Sequence, residues 1–202
     1  LTILFLVLLT GSAFIIITLY FSDRYFEETS QKLNAHVADH LIAEKFKDTA
    51  PFLPDGSVNK PIFGEIMHDM MAVNQGIEVY LLDEEGRIEY SVVLDHSDTS
   101  SAVKRIDLGP VRQFISANGE QYILGDNPRD PANPKIFSAG HFEIEDHSGY
   151  IYIILAGEEF EAVTDALFSS YFIKLGLGAS ILTMFFATII GLVSIYFLTR
   201  NL

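Results

Sequence analysis

The sequence predicts an α+β domain, with one antiparallel sheet and flanking helices, inserted between two membrane-spanning helices. Three observations predict it. Two long stretches, Leu1 to Phe21 and Leu175 to Thr199, carry no charge. All 27 acidic residues and twelve of the 13 basic ones lie between them, so the middle segment is net −15 in a chain that is net −14 overall. Within that segment, stretches that alternate with the period of a strand are bounded by helical patterns. The 202-residue chain is thus acidic and yet apolar on average, with a mean hydropathy of +0.27. That combination requires charges and apolar residues to be segregated along the chain.

Residues 1–21 as a helix reach about 31 Å, the thickness of a bilayer core. A cleaved signal peptide is the rival reading. It is set aside because the stretch has no basic n-region and no A-x-A site before Ser22. A first residue that is Leu rather than Met reads as a natural N-terminus that begins further upstream. The second span covers residues 175–198. Its Ala179, Thr183, Ala187 and Gly191 recur every four positions, a stripe that lets another helix approach, although helices rich in small residues produce such stripes by chance. Arg200 follows this span, and the flank Ser22 to Glu28 after the first is net acidic. By the positive-inside rule both termini are expected in the cytoplasm and the acidic segment outside.

The outer segment, residues 22–174, is long enough for one core. It opens with a helical pattern from Asp23 to about Lys47, with Phe26, Leu33, Val37, Leu41 and Phe46 near one stripe and no Gly or Pro before Pro51. That helix is expected to leave the membrane unbroken. Pro51 to Gly56 reads as loop, and Pro61 to Val73 as a short helix with Pro61 in its first turn. Ile77, Val79 and Leu81 then alternate with polar neighbours, Asp83 to Gly86 forms a turn, and Ile88, Tyr90 and Val92 alternate again, which makes a hairpin. Gly109-Pro110 precedes a helical pattern through Ile115. Asp126 to Pro134 holds three prolines and reads as loop. A second hairpin follows, from Lys135 to Ile144, a turn over Glu145 to Gly149, and Tyr150 to Leu155. Glu158 to Lys174 is helical and runs into the second span.

Several function classes fall on composition. A net charge of −14 argues against nucleic acid, whose phosphates need Lys and Arg. No cysteine is present, which removes thiolate metal sites, disulfides and cysteine nucleophiles. That absence fits an extracytoplasmic place in a bacterium. No catalytic motif stands in the chain, so no catalytic residue, resident metal or cofactor is expected. His36 and His40, four apart on the first outer helix, would share a face and hold a divalent metal beside Asp39 or Glu44. They lack a third ligand of clear spacing, and a solvated helix face accounts for them. Asp126, Asn127 and Asp130 offer oxygen ligands, but not at the spacing of an EF-hand, and turn formation explains them. Lys104, Arg105 and Arg112 are a basic group between the hairpins. They either hold an anionic ligand by charge-assisted hydrogen bonds or pair with surface carboxylates.

Three stretches carry a family resemblance: Ile77-Glu78-Val79-Tyr80-Leu81-Leu82-Asp83-Glu84-Glu85-Gly86, Ile123-Leu124-Gly125-Asp126-Asn127-Pro128-Arg129 and Gly149-Tyr150-Ile151-Tyr152-Ile153-Ile154-Leu155. With Leu198-Thr199-Arg200-Asn201-Leu202 after the second span, the chain resembles the sensor portion of bacterial transmembrane histidine kinases that carry a PAS-like (Cache-type) periplasmic domain and a HAMP linker. The resemblance implies a five-stranded antiparallel sheet, with residues 199–202 as the start of the HAMP segment. It implies a homodimer in the inner membrane, an unknown small-molecule or ionic ligand, and a cytoplasmic kinase beyond residue 202 that passes the signal to a response regulator. It further implies that Tyr90, Ser138, His141 and Tyr152 lie on strands lining a ligand pocket, with Lys104, Arg105 and Arg112 nearby. The same architecture serves chemoreceptors and cyclic-dinucleotide enzymes, and a partner-binding membrane protein is the rival from another class.

Overall fold

The computed structural model describes residues 2–200 apart from 48, 74–76, 93–102, 145–146, 156–174, 177, 180, 194–195 and 198. It falls into two units, Leu1–Tyr25 with Ala162–Leu202, and Phe26–Glu161.

In the first unit, α1 (Thr2–Leu33) begins in the uncharged N-terminal stretch. Leu9, Phe14, Ile16, Ile17, Tyr20 and Phe21 are exposed along it. The C-terminal uncharged stretch is helical wherever it is described, and Ile181, Leu182, Phe185, Phe186 and Ile190 are exposed there as well. Among the described residues no helix is long and apolar enough to cross a membrane, the two uncharged stretches being described only in part. The expected helix from Glu158 to Lys174 lies outside the described residues.

The second unit is α+β. After α1 come α2 (Val37–Lys45), α3 (Lys60–Val73), β1 (Glu78–Leu82), β2 (Ile88–Val92), α4 (Leu108–Ser116), β3 (Leu124–Gly125), β4 (Lys135–Ile144) and β5 (His147–Ile154). The five strands form one antiparallel sheet in the order β2-β1-β5-β4-β3. Strand alternation sends side chains to opposite faces, and both faces are covered. Val79, Leu81, Ile136, Phe142, Ile151 and Ile153 point to one face, where they pack with Ala38 and Leu41 of α2 and Ile62, Phe63 and Ile66 of α3. Tyr80, Leu82, Phe137, Ala139, Tyr150, Tyr152 and Ile154 point to the other, against Val111 and Phe114 of α4 and Ile106. β1 is therefore buried at every residue.

Two expectations need correction. The helix from Asp23 to Lys47 is interrupted at Asn34–His36. There, Ala35 N and Val37 N donate to carbonyls three residues back instead of four. Ala38 N donates to Ser138 Oγ at 3.1 Å, and that hydroxyl donates to Ala35 O at 2.7 Å. A buried serine on β4 thus stands in for the helix's own hydrogen bonds at the break. The second correction is at the β4–β5 turn. β5 begins at His147, where the register pairs His147 with Ile144, so Ser148 and Gly149 belong to the strand. That strand position is a glycine because a Cβ there would lie 2.2 Å from Leu82 O of the neighbouring strand.

α1 is tied to the sheet by Gln31, which is fully buried. Its Nε2 donates to Ile123 O at 2.7 Å and to Phe137 O at 3.0 Å, and its Oε1 accepts from Ile123 N at 3.0 Å. On the α4 face, the buried Tyr80 hydroxyl donates to Glu78 Oε2 at 2.7 Å, and Arg129 Nη1 lies 3.4 Å from Glu78 Oε1. Burial raises the Tyr80 and Tyr152 phenols, so both stay protonated donors at physiological pH.

Candidate anion-binding cleft

The turn between β1 and β2 is built by Asp83. Its Oδ1 accepts from Glu85 N and Arg87 N, and its backbone N–H donates to Arg87 O. Gly86 closes the turn at φ +82°, and a Cβ there would meet Ile106 O at 2.5 Å. Ile106 N donates in turn to Gly86 O at 2.8 Å, so the turn is stapled to the segment that leads into α4. Asp107 caps α4 by accepting from Gly109 N, and its own N–H donates to Asp126 Oδ2 at 2.8 Å. These bonds fix the walls of an open cleft of about 570 Å³, lined by Glu84, Glu85, Arg105, Ile106, Asp107, Leu108, Gly109, Arg112 and Asp126.

The two guanidiniums are held by neutral groups. Arg105 Nε donates to Glu85 O at 2.8 Å. Arg112 Nε donates to the Tyr150 hydroxyl at 3.3 Å, with a longer Nη2 contact to Glu84 O at 3.5 Å. The Tyr150 bond, ahead of the charge of Glu84, raises Arg112 further above its ordinary value. Beside them, His141 Nε2 lies 2.7 Å from Glu84 Oε1, and the His141 ring packs on Tyr150 with centroids 4.9 Å apart. The His141 hydrogen bond is the main reason the Glu84 carboxyl lies below its ordinary value.

The structure divides the residues singled out from the sequence. Arg105 and Arg112 line the cleft, and His141 reaches it through Glu84. Lys104 is exposed and does not line the cleft; its carbonyl accepts from Ile88 N. Tyr152 shares the α4 face but is buried, and its hydroxyl donates to Asp126 O at 2.8 Å. Tyr90 and Ser138 point to the opposite face, Tyr90 against Phe63 with centroids 5.2 Å apart and Ser138 into the helix break. The reason is the period of two. Ser138 and His141 lie three apart on one strand, so they cannot share a face.

Neither metal candidate gathers ligands. His36 Nδ1 lies 3.3 Å from Asp39 Oδ2 in an exposed turn, and Asn127 Oδ1 and Asp130 Oδ1 accept from backbone N–H groups within their own loop. Among the described residues no group of three His, Asp or Glu side chains is placed to hold a metal ion. Sequence reading missed Glu84, Asp107 and Tyr150. Asp107 directly before the Leu108-Gly109-Pro110 helix start was a legible cap, whereas Tyr150 is one of several strand tyrosines with nothing local to mark it. No protein-family model, curated protein or solved structure matches the chain.

Proposed function

We propose that this chain is the sensing and transmembrane signalling part of a dimeric membrane receptor. In this reading a PAS-like (Cache-type) domain outside the cytoplasmic membrane is held between two membrane helices and controls a cytoplasmic histidine kinase beyond residue 202, which signals to a response regulator. The observation that carries the reading is α1. It is one helix of 32 residues that begins in the uncharged stretch and ends gripped by the sheet through Gln31. Such an element is suited to pass a shift of the sheet along its axis. The apolar side chains exposed along Leu9 to Phe21 support a lipid environment for its first part, since exposed Leu, Ile and Phe at this density cost free energy in water. The sequence resemblance supports the kinase as the output. A ligand would act by favouring one of two arrangements of the flanking helices.

The native chain has no cysteine, so single cysteines can be placed at will. A disulfide crosslinking scan along residues 1–21 in membranes is expected to peak with helical period across the dimer. A cysteine replacing the exposed Asp55 is expected to react with a membrane-impermeant maleimide on intact cells. A chain that washes off membranes in alkaline carbonate sinks the membrane reading, and a flat crosslinking profile sinks the dimer.

A further inference from the structure

The C-terminal end of α4 is closed by two bonds: Asn118 N donates to Ile115 O at 3.0 Å and Gly119 N to Phe114 O at 3.1 Å. That pair ends a helix through a residue in the left-handed region. Asn118 is that residue, at φ +52°, and Gly119 follows at φ +70°. Among the described residues no other non-glycine has a positive φ. Asparagine tolerates this region better than most side chains, and a Cβ on Gly119 would lie 2.5 Å from the Cβ of Ala35 in the helix break. The cap therefore selects Asn followed by Gly, and this is the one Asn-Gly step in the 202 residues. Asn118 is exposed, whereas Gly119 is buried.

We propose that Asn118 is a site of spontaneous deamidation that the folded cap holds shut. In the reaction the Gly119 nitrogen loses its proton to solvent and attacks Asn118 Cγ. A C–N bond forms, the side-chain nitrogen leaves with a proton as ammonia, and a water molecule then opens the cyclic imide to aspartate or isoaspartate. Glycine favours this step, because no Cβ crowds the attacking nitrogen and the backbone turns freely. Asn127 and Asn133 precede prolines, which have no N–H to lose. In the fold the Gly119 nitrogen is buried and its hydrogen is held by Phe114 O, so attack waits for the last turn of α4 to open. Either product puts a carboxylate at the C-terminal end of α4, where the helix dipole opposes it. Isoaspartate also adds a methylene to the main chain and shifts both capping bonds out of register. Because Gly119 seats against Ala35, each conversion loosens α4 from the break between α1 and α2, and the lost ammonia makes the change one-way. The modification thus records how often that contact opens. It rests on the geometry of the α+β unit alone, so its failure would leave the signalling reading untouched.

The test incubates the full chain in micelles at physiological temperature and mildly alkaline pH, and follows each asparagine by peptide mass spectrometry. One sample is folded, and a second is held in guanidinium chloride strong enough to unfold the α+β unit. In the unfolded sample Asn118 should convert ahead of every other asparagine. In the folded sample its conversion should be slower by about tenfold or more, because only opened molecules react. Denaturant below the unfolding transition should then raise Asn118 conversion and hydrogen exchange at the Gly119 amide by the same factor. Equal rates in the folded and unfolded chains would overturn the proposal. So would conversion that stays flat while Gly119 exchange rises, or another asparagine reacting first in the unfolded chain.

Discussion

Replacing Ser138 by Ala removes a single oxygen from a fully buried site. Two backbone groups then lose their partner, Ala38 N and Ala35 O, both in residues with almost no exposure. The vacated space is smaller than a water molecule, so solvent cannot replace the hydroxyl. A buried polar group left without a partner costs about 1–3 kcal/mol, and losing the hydroxyl's own desolvation offsets part of that. The net cost is about 3 kcal/mol, a large share of the roughly 5–15 kcal/mol that holds a domain folded. For a domain of this size that corresponds to a fall in Tm of roughly 10 °C. Circular dichroism melts of the full chain in micelles would read the shift, and hydrogen exchange at the Ala38 amide would locate it. Ser57→Ala, which removes an exposed hydroxyl bonded only to Asp55, serves as control and should stay within about 0.5 kcal/mol. A Tm fall under about 2 °C with Ala38 exchange unchanged would refute the view that Ser138 pins the helix break.

Other perturbations give equally definite outcomes. Gly125→Ala places a Cβ 2.3 Å from the Tyr152 hydroxyl and 2.8 Å from the Phe137 ring, both buried, and should cost about 2 kcal/mol in denaturant unfolding. Tyr80→Phe deletes the phenol donor to Glu78 and should cost about 1–2 kcal/mol by the same measurement, with no change in fold by circular dichroism. Glu84 has a carboxyl depressed in the folded state, so its contribution is fully present above its ordinary value of 4.5 and disappears as pH falls through the lower folded value. Both partners are more than a third exposed, so the effect is small and salt-sensitive. Urea midpoints at pH 6 and pH 4 should fall further apart in the native chain than in His141→Ala; equal gaps would show that the pair contributes nothing.

Much of the α+β unit was legible because local pattern and tertiary environment agree. The β1–β2 hairpin declares itself by alternation around Asp83 to Gly86, and α4 by the helical pattern through Ile115 that follows Gly109-Pro110. The break at Asn34–His36 was not legible. No Gly or Pro marks it, and the hydroxyl that imposes it lies about a hundred residues along the chain. The turn after β4 was drawn too long because Ser148 and Gly149 look like turn residues, whereas Gly149 answers the close approach of Leu82 O from the next strand. β3, two residues long, gives no periodic signal at all. Of the cleft, the three basic residues stood out against an acidic background. Which two of them face it depends on how Glu85 O and the Tyr150 hydroxyl aim their side chains, and no local rule carries that.

The carboxamide of Gln31 has the same donor and acceptor as a peptide group, and it occupies the place where a longer β3 would have run. β4 has ten residues and β3 pairs with only two of them, so among the described residues most of the outer edge of β4 has no strand beside it. An open strand edge is a template for another chain, and proteins commonly guard it with charge, proline or a covering element. Here one side chain from a helix bridges Phe137 O on β4 and both backbone groups of Ile123, closing a gap in the ladder as a one-residue strand would. Loosening α1 from the domain would therefore uncover bonding groups along β4 as well as release a helix. Any arrangement of the helices that withdraws Gln31 has to cover that edge again or expose the protein to strand-by-strand self-association.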